Sequence, residues 1–292
     1  MSAASCVIER LLFLFGFNKE ISEKKLYAKM RKNAIRSERK KSQFCCLLGV
    51  RSESGVYCGM RYLVFIPREV DSAKSIMYLH GSLYMNSYRH LQARFAAELA
   101  KNTHCKVFFP LYPKLPFATV LSCFALLNNY CAFLRKKGEV IPIGDGSGAA
   151  LALALCLERE DIRSVVAISP WLRLQVGEEG RNVTSDAVLS ISLLDRIASL
   201  WGVGVSEKST RTSPFFGDFS GKDLLLFAGE RELLRPDIAA FCRSQIEGGA
   251  KITYYEGKGQ QHSYPLLPAS EGREARRTIF ASVQRLLYGD GQ

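Results

Sequence analysis

The glycine-rich segment Gly144-Asp145-Gly146-Ser147-Gly148 has the spacing of a reactive turn. It follows residues of strand character and opens an apolar stretch of helical character, which is the setting of a nucleophile elbow, G-x-S-x-G. A hydroxyl at the centre of such a turn attacks an acyl carbon. Here the central residue is Gly146, which relieves the backbone strain of the turn but carries no hydroxyl. The usual acyl-enzyme therefore cannot form at this position.

Ser147 offers a second source of a hydroxyl, one position after Gly146. It could act as a shifted nucleophile if the turn moved by one residue, but Asp145 would then stand where a small residue is needed. In the unshifted turn, the backbone N–H of Ser147 is placed to donate to an oxyanion. A phosphate-binding loop is a further interpretation, although the segment lacks the Walker lysine and the full dinucleotide spacing.

An acid and a histidine follow in the order nucleophile, acid, histidine. Glu232 lies in a loop after a strand-like stretch, and His262 lies in a loop after the last such stretch. A carboxylate placed in this way orients the imidazole and compensates its charge, so the pair predicts a general base. The alternatives are a solvated loop carboxylate for Glu232 and a surface or capping histidine for His262.

A third loop, His80-Gly81-Ser82, also follows a strand-like stretch. Glycine permits a close approach of the backbone, and His80 would hold the loop in place. The N–H groups of Gly81, Ser82 and Ser147 are therefore candidate donors to an oxyanion. An ordinary β-turn is the alternative interpretation.

The elements that must position these loops alternate along the chain. Hydrophobic patterns predict a strand pair over residues 54–67 and further strands at residues 75–79, 106–111, 139–143, 164–168, 223–227 and 252–255. They predict helices at residues 89–101, 117–135, 147–157, 187–201, 236–247 and 271–288. This order predicts an α/β fold with a mostly parallel sheet covered on both faces. In such sheets the chemistry lies beyond the carboxyl ends of the strands.

Six spaced motifs together resemble the hormone-sensitive-lipase-like carboxylesterases of the α/β-hydrolase superfamily. That family reads roughly His-Gly-Gly-Gly and Gly-Asp-Ser-Ala-Gly-Gly where this chain has His80-Gly81-Ser82-Leu83 and Gly144-Asp145-Gly146-Ser147-Gly148-Ala149. Residues 110–117, 168–172 and 229–237 resemble its Tyr-Arg-Leu-Ala-Pro-Glu, Ser-Pro-Trp and Gly-x-x-Asp-x-Leu segments, and His262 its final histidine. The resemblance runs from about residue 75 to residue 268. The chain departs from the family at Gly146, at Glu232 in place of aspartate, and in the glycines lost from the first loop.

The resemblance implies an α/β-hydrolase fold and the hydrolysis of an apolar carboxylic ester. His262 would be the base and Glu232 its orienting acid, and the attacking group would be Ser147 or a water activated by His262. The competing hypothesis is a catalytically impaired pseudo-hydrolase that binds an apolar small molecule or a protein partner. Plant gibberellin receptors, which share this fold and lack full triad function, are the precedent.

The N-terminal residues 1–42 form an apolar and then basic segment ahead of a predicted hydrolase domain at residues 43–292. Residues 6–17 are apolar but short, and Glu9 and Arg10 interrupt them, whereas a transmembrane helix needs about 20 apolar residues. Residues 18–42 hold ten Lys or Arg against three Glu, which is more than half of the net charge of +12. The segment is predicted to be a cap over the domain or an anchor on an anionic membrane surface. A solvated basic helix is the simpler alternative, and nucleic acid is not expected as a partner.

The nine cysteines are irregularly spaced, and several, such as Cys123, Cys131 and Cys156, lie in apolar runs. This pattern predicts reduced, buried thiols and a cytoplasmic protein, associated peripherally with a membrane if the N-terminal segment is an anchor. Neither a metal-binding pattern nor a nucleotide-binding pattern is present in the sequence, so no cofactor is expected. The sequence does not predict the oligomeric state.

Overall fold

The computed structural model describes residues 1–14, 22–39 and 49–289 of the 292-residue chain. The predicted boundary between residues 42 and 43 lies outside these ranges. The division of the chain into an N-terminal segment and a hydrolase domain therefore stays a prediction.

Eight strands of the described residues form one sheet. They are β1 (Arg51–Tyr57), β2 (Met60–Ile66), β3 (Asp71–Leu79), β4 (Cys105–Pro110), β5 (Glu139–Asp145), β6 (Ser164–Ile168), β7 (Asp223–Gly229) and β8 (Lys251–Gly257). Their order is β1-β2-β4-β3-β5-β6-β7-β8. β2 runs antiparallel to β1 and β4, and the strands from β4 through β3 to β8 are parallel. The predicted mostly parallel sheet is confirmed.

Helices connect the parallel strands and cover both faces of the sheet. In the described residues they are α1 (Ala3–Leu14), α2 (Glu23–Arg39), α3 (His90–Thr103), α4 (Val120–Arg135), α5 (Ser147–Glu158), α6 (Glu178–Arg181), α7 (Ile191–Trp201), α8 (Arg235–Glu247) and α9 (Ser270–Tyr288). Successive residues of a strand point to opposite faces. Met77 of β3 accordingly joins a buried cluster with residues of α4, α5 and α8, while the next residue, Tyr78, joins a second cluster with α3 and α9.

Each strand and helix predicted for the domain is present, with shifted ends. The largest shifts are of four residues, at β3, which begins at Asp71 and not at residue 75, and at α7, which begins at Ile191 and not at residue 187. The side chain of Asp186 accepts hydrogen bonds from the backbone N–H groups of Val188 (2.7 Å) and Leu189 (2.9 Å). This side-chain turn competes with the first turn of a helix, which explains the later start.

The two N-terminal helices pack on the domain. Leu26 and Met30 of α2, spaced one helical turn apart, are buried in the first cluster. Ser5 of α1 donates a hydrogen bond to the side chain of Gln260 (3.2 Å). Among the described helices, none is both long and apolar enough to cross a membrane.

Candidate active site

The turn between β5 and α5 is sharp and centred on Gly146. Its backbone angles are φ +54° and ψ −122°, a conformation that residues with a side chain rarely adopt. The next glycine, Gly148, lies so close to β3 that an added Cβ would approach the carbonyl oxygen of Leu79 to 2.0 Å. Glycine at position 148 thus allows the first turn of α5 to pack closely against the end of β3. The turn stands at the carboxyl end of β5, where the fold predicts chemistry.

His262 faces this turn from the loop after β8. A Cβ built on Gly146 would lie 3.3 Å from His262 Nε2. The other ring nitrogen, Nδ1, lies 2.8 Å from Glu232 Oε2. Glu232 follows β7 and is fully buried, and its second oxygen accepts a hydrogen bond from the N–H of Gly229 (3.1 Å). The structure therefore aligns a carboxylate, an imidazole and an open position beside Gly146.

The surroundings of His262 increase its basicity. Burial of the ring favours the neutral form and lowers its pKa, but the hydrogen bond and charge of Glu232 oppose this, and Asp186 and Asp145 add to their effect. The net result is a pKa of His262 above its ordinary value. A raised pKa makes the neutral imidazole a better proton acceptor.

Asp145 fixes the loop that begins at His80. One carboxylate oxygen accepts hydrogen bonds from the Tyr78 hydroxyl (2.6 Å) and the Gly81 N–H (2.8 Å). The other accepts one from Gln92 Nε2 (2.7 Å), which also donates to the carbonyl oxygen of Gly81 (2.7 Å). Sequence reasoning missed Gln92, because an amide on a helix carries no recognisable motif. The Gly81 N–H is thus occupied by Asp145.

The hydroxyl of Ser147 also contacts this loop. It accepts a hydrogen bond from the N–H of Ser82 (3.0 Å), and Ser147 is buried. Two of the three candidate oxyanion donors, those of Gly81 and Ser82, therefore have acceptors within the protein. The third, the N–H of Ser147, lies in the first turn of α5, where backbone N–H groups have no acceptor within the helix.

His80 lies beneath the loop and is completely buried. Its ring stacks on Tyr112, with centroids 4.8 Å apart, and on Phe109, with centroids 5.3 Å apart. The Tyr112 hydroxyl donates to the carbonyl oxygen of His80 (2.5 Å). These contacts give His80 a structural part in holding the loop.

A cavity of about 160 Å³ opens onto these groups. Gly146, His262 and the two serines at positions 82 and 147 line it, together with seven leucines and with polar side chains that include Arg89. Leu12 of α1 and Lys29 of α2 also line it. The contribution of the N-terminal helices could not be located from the sequence, since no spacing relates them to the distant loops.

The family to which the chain belongs follows from its sequence as well as its architecture. The model of the alpha/beta hydrolase fold family matches residues 76–266, which is more than half of the chain. The chain belongs to this family. The search among curated proteins gave no match.

Several solved structures share the fold over nearly the whole chain. A candidate esterase from Staphylococcus aureus superposes with a TM-score of 0.83 at 24% identity, covering 90% of this chain and 94% of that one. EstE5, soaked with p-nitrophenyl butyrate, gives 0.83 at 18% identity, with coverages of 98% and 99%. A hormone-sensitive lipase from a metagenome library gives 0.79 at 19%, with coverages of 97% and 98%. The protein is thus an α/β-hydrolase whose fold resembles that of these esterases and lipases.

Proposed function

We propose that the protein is a carboxylic ester hydrolase in which His262 activates a water molecule in place of a serine. The observation that carries this proposal is the alignment of Glu232, His262 and Gly146. Glu232 Oε2 lies 2.8 Å from His262 Nδ1, and His262 Nε2 lies 3.3 Å from the position of a Cβ built on Gly146. A buried pair of this geometry is costly to keep unless its charges are matched, and it is arranged as the base half of a triad.

Gly146 is proposed to occupy the nucleophile position. Its backbone conformation, its place at the carboxyl end of β5, and the direction of His262 Nε2 support this assignment. The shifted-nucleophile hypothesis has less support, because the hydroxyl of Ser147 accepts a hydrogen bond from the loop at Ser82. The missing serine side chain leaves room for a water molecule within hydrogen-bonding distance of His262 Nε2.

The proposed reaction has two steps. His262 Nε2 takes a proton from the water, and the resulting hydroxide attacks the ester carbonyl carbon. The carbonyl oxygen becomes an oxyanion beside the N–H of Ser147, and rotation of the Ser147 hydroxyl would release the Ser82 N–H as a second donor. The tetrahedral intermediate then expels the alkoxide, which receives the proton from His262. Glu232 stabilises the imidazolium throughout.

The absence of a hydroxyl at Gly146 favours a second candidate, a pseudo-hydrolase that binds an apolar small molecule or a protein partner. Removal of the nucleophile from a serine hydrolase leaves only about 10³–10⁴-fold acceleration over water. A site with such slow turnover could serve to hold an apolar ester. The leucine-lined cavity fits a ligand of this kind.

Contact of residues 1–42 with an anionic membrane, and peripheral association of a cytoplasmic protein, are further proposals. The packing of α1 and α2 on the domain supports the cap interpretation. It leaves the outer surface of these helices for a partner.

The test is hydrolysis of p-nitrophenyl butyrate by the purified protein and by His262→Ala, Ser147→Ala and the surface control His90→Ala. A general base contributes about 10²–10⁴-fold, so we expect at least a hundredfold loss in His262→Ala and none in His90→Ala. Ser147→Ala should retain or increase the rate, because it releases the Ser82 N–H.

Loss of turnover in Ser147→Ala would instead identify a shifted nucleophile. A parent rate equal to that of His262→Ala would exclude the hydrolase proposal and leave the binding function.

A further inference from the structure

Helix α1 buries two polar side chains against the protein and exposes apolar side chains on the opposite side, while Ile8 and Leu12 are half-buried. Ser5 and Glu9, one helical turn apart, are buried against the domain. Val7 and Leu11, also one turn apart, are 55% and 44% exposed. In a helix that only covers a domain, the apolar side is the one that is buried.

Polar contacts hold α1 in this orientation. Glu9 pairs with Arg231 (2.8 Å) and accepts a hydrogen bond from Gln261 Nε2 (2.8 Å). At the start of the helix, the Ser2 hydroxyl donates to Glu271 (2.7 Å). Rotating α1 to bury its apolar side would break these contacts and bury Glu9 without partners. The outward apolar surface is therefore a fixed feature of the fold.

Helix α2, which also packs on the domain, carries exposed positive charge. Lys25, Lys29 and Lys32 lie three or four residues apart and so share one side of the helix, and all three are exposed. Lys29 also lines the cavity, together with Leu12 of α1. The two helices thus form one cap over the cavity, and this cap carries both the exposed lysines and the exposed apolar side chains.

We propose that this cap binds the surface of an anionic membrane, with Val7 and Leu11 inserted among the lipids and the lysines of α2 at the headgroups. Exposed apolar side chains together with exposed lysines are the pattern of a segment that lies in the membrane interface. The charge selects anionic lipid over a neutral surface. The binding brings the cavity to the membrane, where apolar esters are concentrated. It deepens the membrane contact proposed above by naming the residues that make it, and it requires no turnover.

The experiment is sedimentation of the full chain with vesicles of phosphatidylcholine, alone or with about 30% phosphatidylserine. We expect binding to the anionic vesicles that weakens at high salt. Val7→Ser combined with Leu11→Ser should weaken it about tenfold, because two apolar side chains lose their insertion. Lys25→Gln combined with Lys32→Gln should also weaken it about tenfold.

The matched control is Val56→Ser combined with Ile246→Ser, which removes two similarly exposed apolar side chains, 66% and 55%, from β1 and α8. This variant should bind as the parent does. Equal binding to neutral and anionic vesicles, or full binding by the α1 variant, would overturn the proposal. Sedimentation velocity in which the parent is a dimer and the α1 variant is a monomer would also overturn it, because a second copy of the chain would then cover the surface. Since no ester is present, these results are independent of whether the protein hydrolyses one.

Discussion

Gly146 has a backbone conformation that disfavours side chains and a position that faces His262 Nε2. Serine would suffer the strain of a positive φ, and its Cβ would lie at the close distance of 3.3 Å from the ring. It would gain a hydrogen bond from its hydroxyl to the imidazole. The strain reduces stability, whereas the hydrogen bond creates a nucleophile, so one substitution should move the two properties in opposite directions.

We expect Gly146→Ser to lower the free energy of unfolding by roughly 1–3 kcal/mol. We also expect it to make the protein react covalently with a sulfonyl fluoride, because the new hydroxyl meets the existing base. Urea unfolding and intact-mass analysis measure the two effects. Gly249→Ser, at a positive φ of 89° in open space, controls for backbone strain alone. Labelling of the parent, or its absence from Gly146→Ser, would argue against Gly146 as the nucleophile position.

The pKa of His262 sets the pH dependence of a base that must be neutral to act. Because Glu232 raises this pKa, the activity of Gly146→Ser should fall on acidification with a midpoint above the ordinary value of about 6.5. Glu232→Gln should move the midpoint down and slow the reaction by up to about 10⁴-fold. The ratio kcat/KM measured against pH tests this, and an unchanged midpoint in Glu232→Gln would contradict it.

The same shift affects stability with a defined sign. A histidine whose pKa is raised by folding stabilises the native state fully below its unfolded pKa. This contribution is lost as the pH rises through the higher folded value. His262 therefore stabilises the fold most on the acidic side, where its imidazole is charged.

At the scale of elements, α1 is connected to both loops that carry the candidate catalytic groups. Glu9 contacts Arg231 and Gln261, which are the neighbours of Glu232 and His262 in the sequence. The cap is thus fixed to the site by polar contacts, whereas its apolar surface faces outward. These contacts connect the position of α1 to the positions of the two loops.

We expect Glu9→Ala to lower the free energy of unfolding by about 1–3 kcal/mol, because one of the two N–H groups of the buried Gln261 amide loses its acceptor while the other keeps the carbonyl oxygen of Ser185. Exchange of the α1 amide hydrogens should accelerate at the same time. Arg10→Ala, next in sequence but exposed, is the control and should change neither quantity. Native α1 protection in Glu9→Ala, measured by mass spectrometry, would show that other contacts hold the helix.

At the scale of the whole molecule, the parallel strands place the three loops at the carboxyl-terminal end of the sheet. Residues separated by more than a hundred positions, such as Gly146 and His262, meet because β5 and β8 both end on that side of the sheet. The two-sided packing makes the central strands apolar on both faces, which is why their positions could be predicted from short apolar runs. The thiols of Cys123, Cys131 and Cys156, predicted to be buried, are buried on the helices α4 and α5 in the first core cluster.

The sequence alone determined the α/β fold, nearly all elements of the domain, and the loops that hold Gly146, Glu232 and His262. It could do so because periodicity, glycine spacing and chain order are local properties. Only the tertiary structure decided that Asp145 and the hydroxyl of Ser147 occupy the N–H groups of Gly81 and Ser82, and that α1 turns its apolar side outward. These outcomes depend on which groups at distant positions meet across the fold, and a local pattern has no information about such contacts.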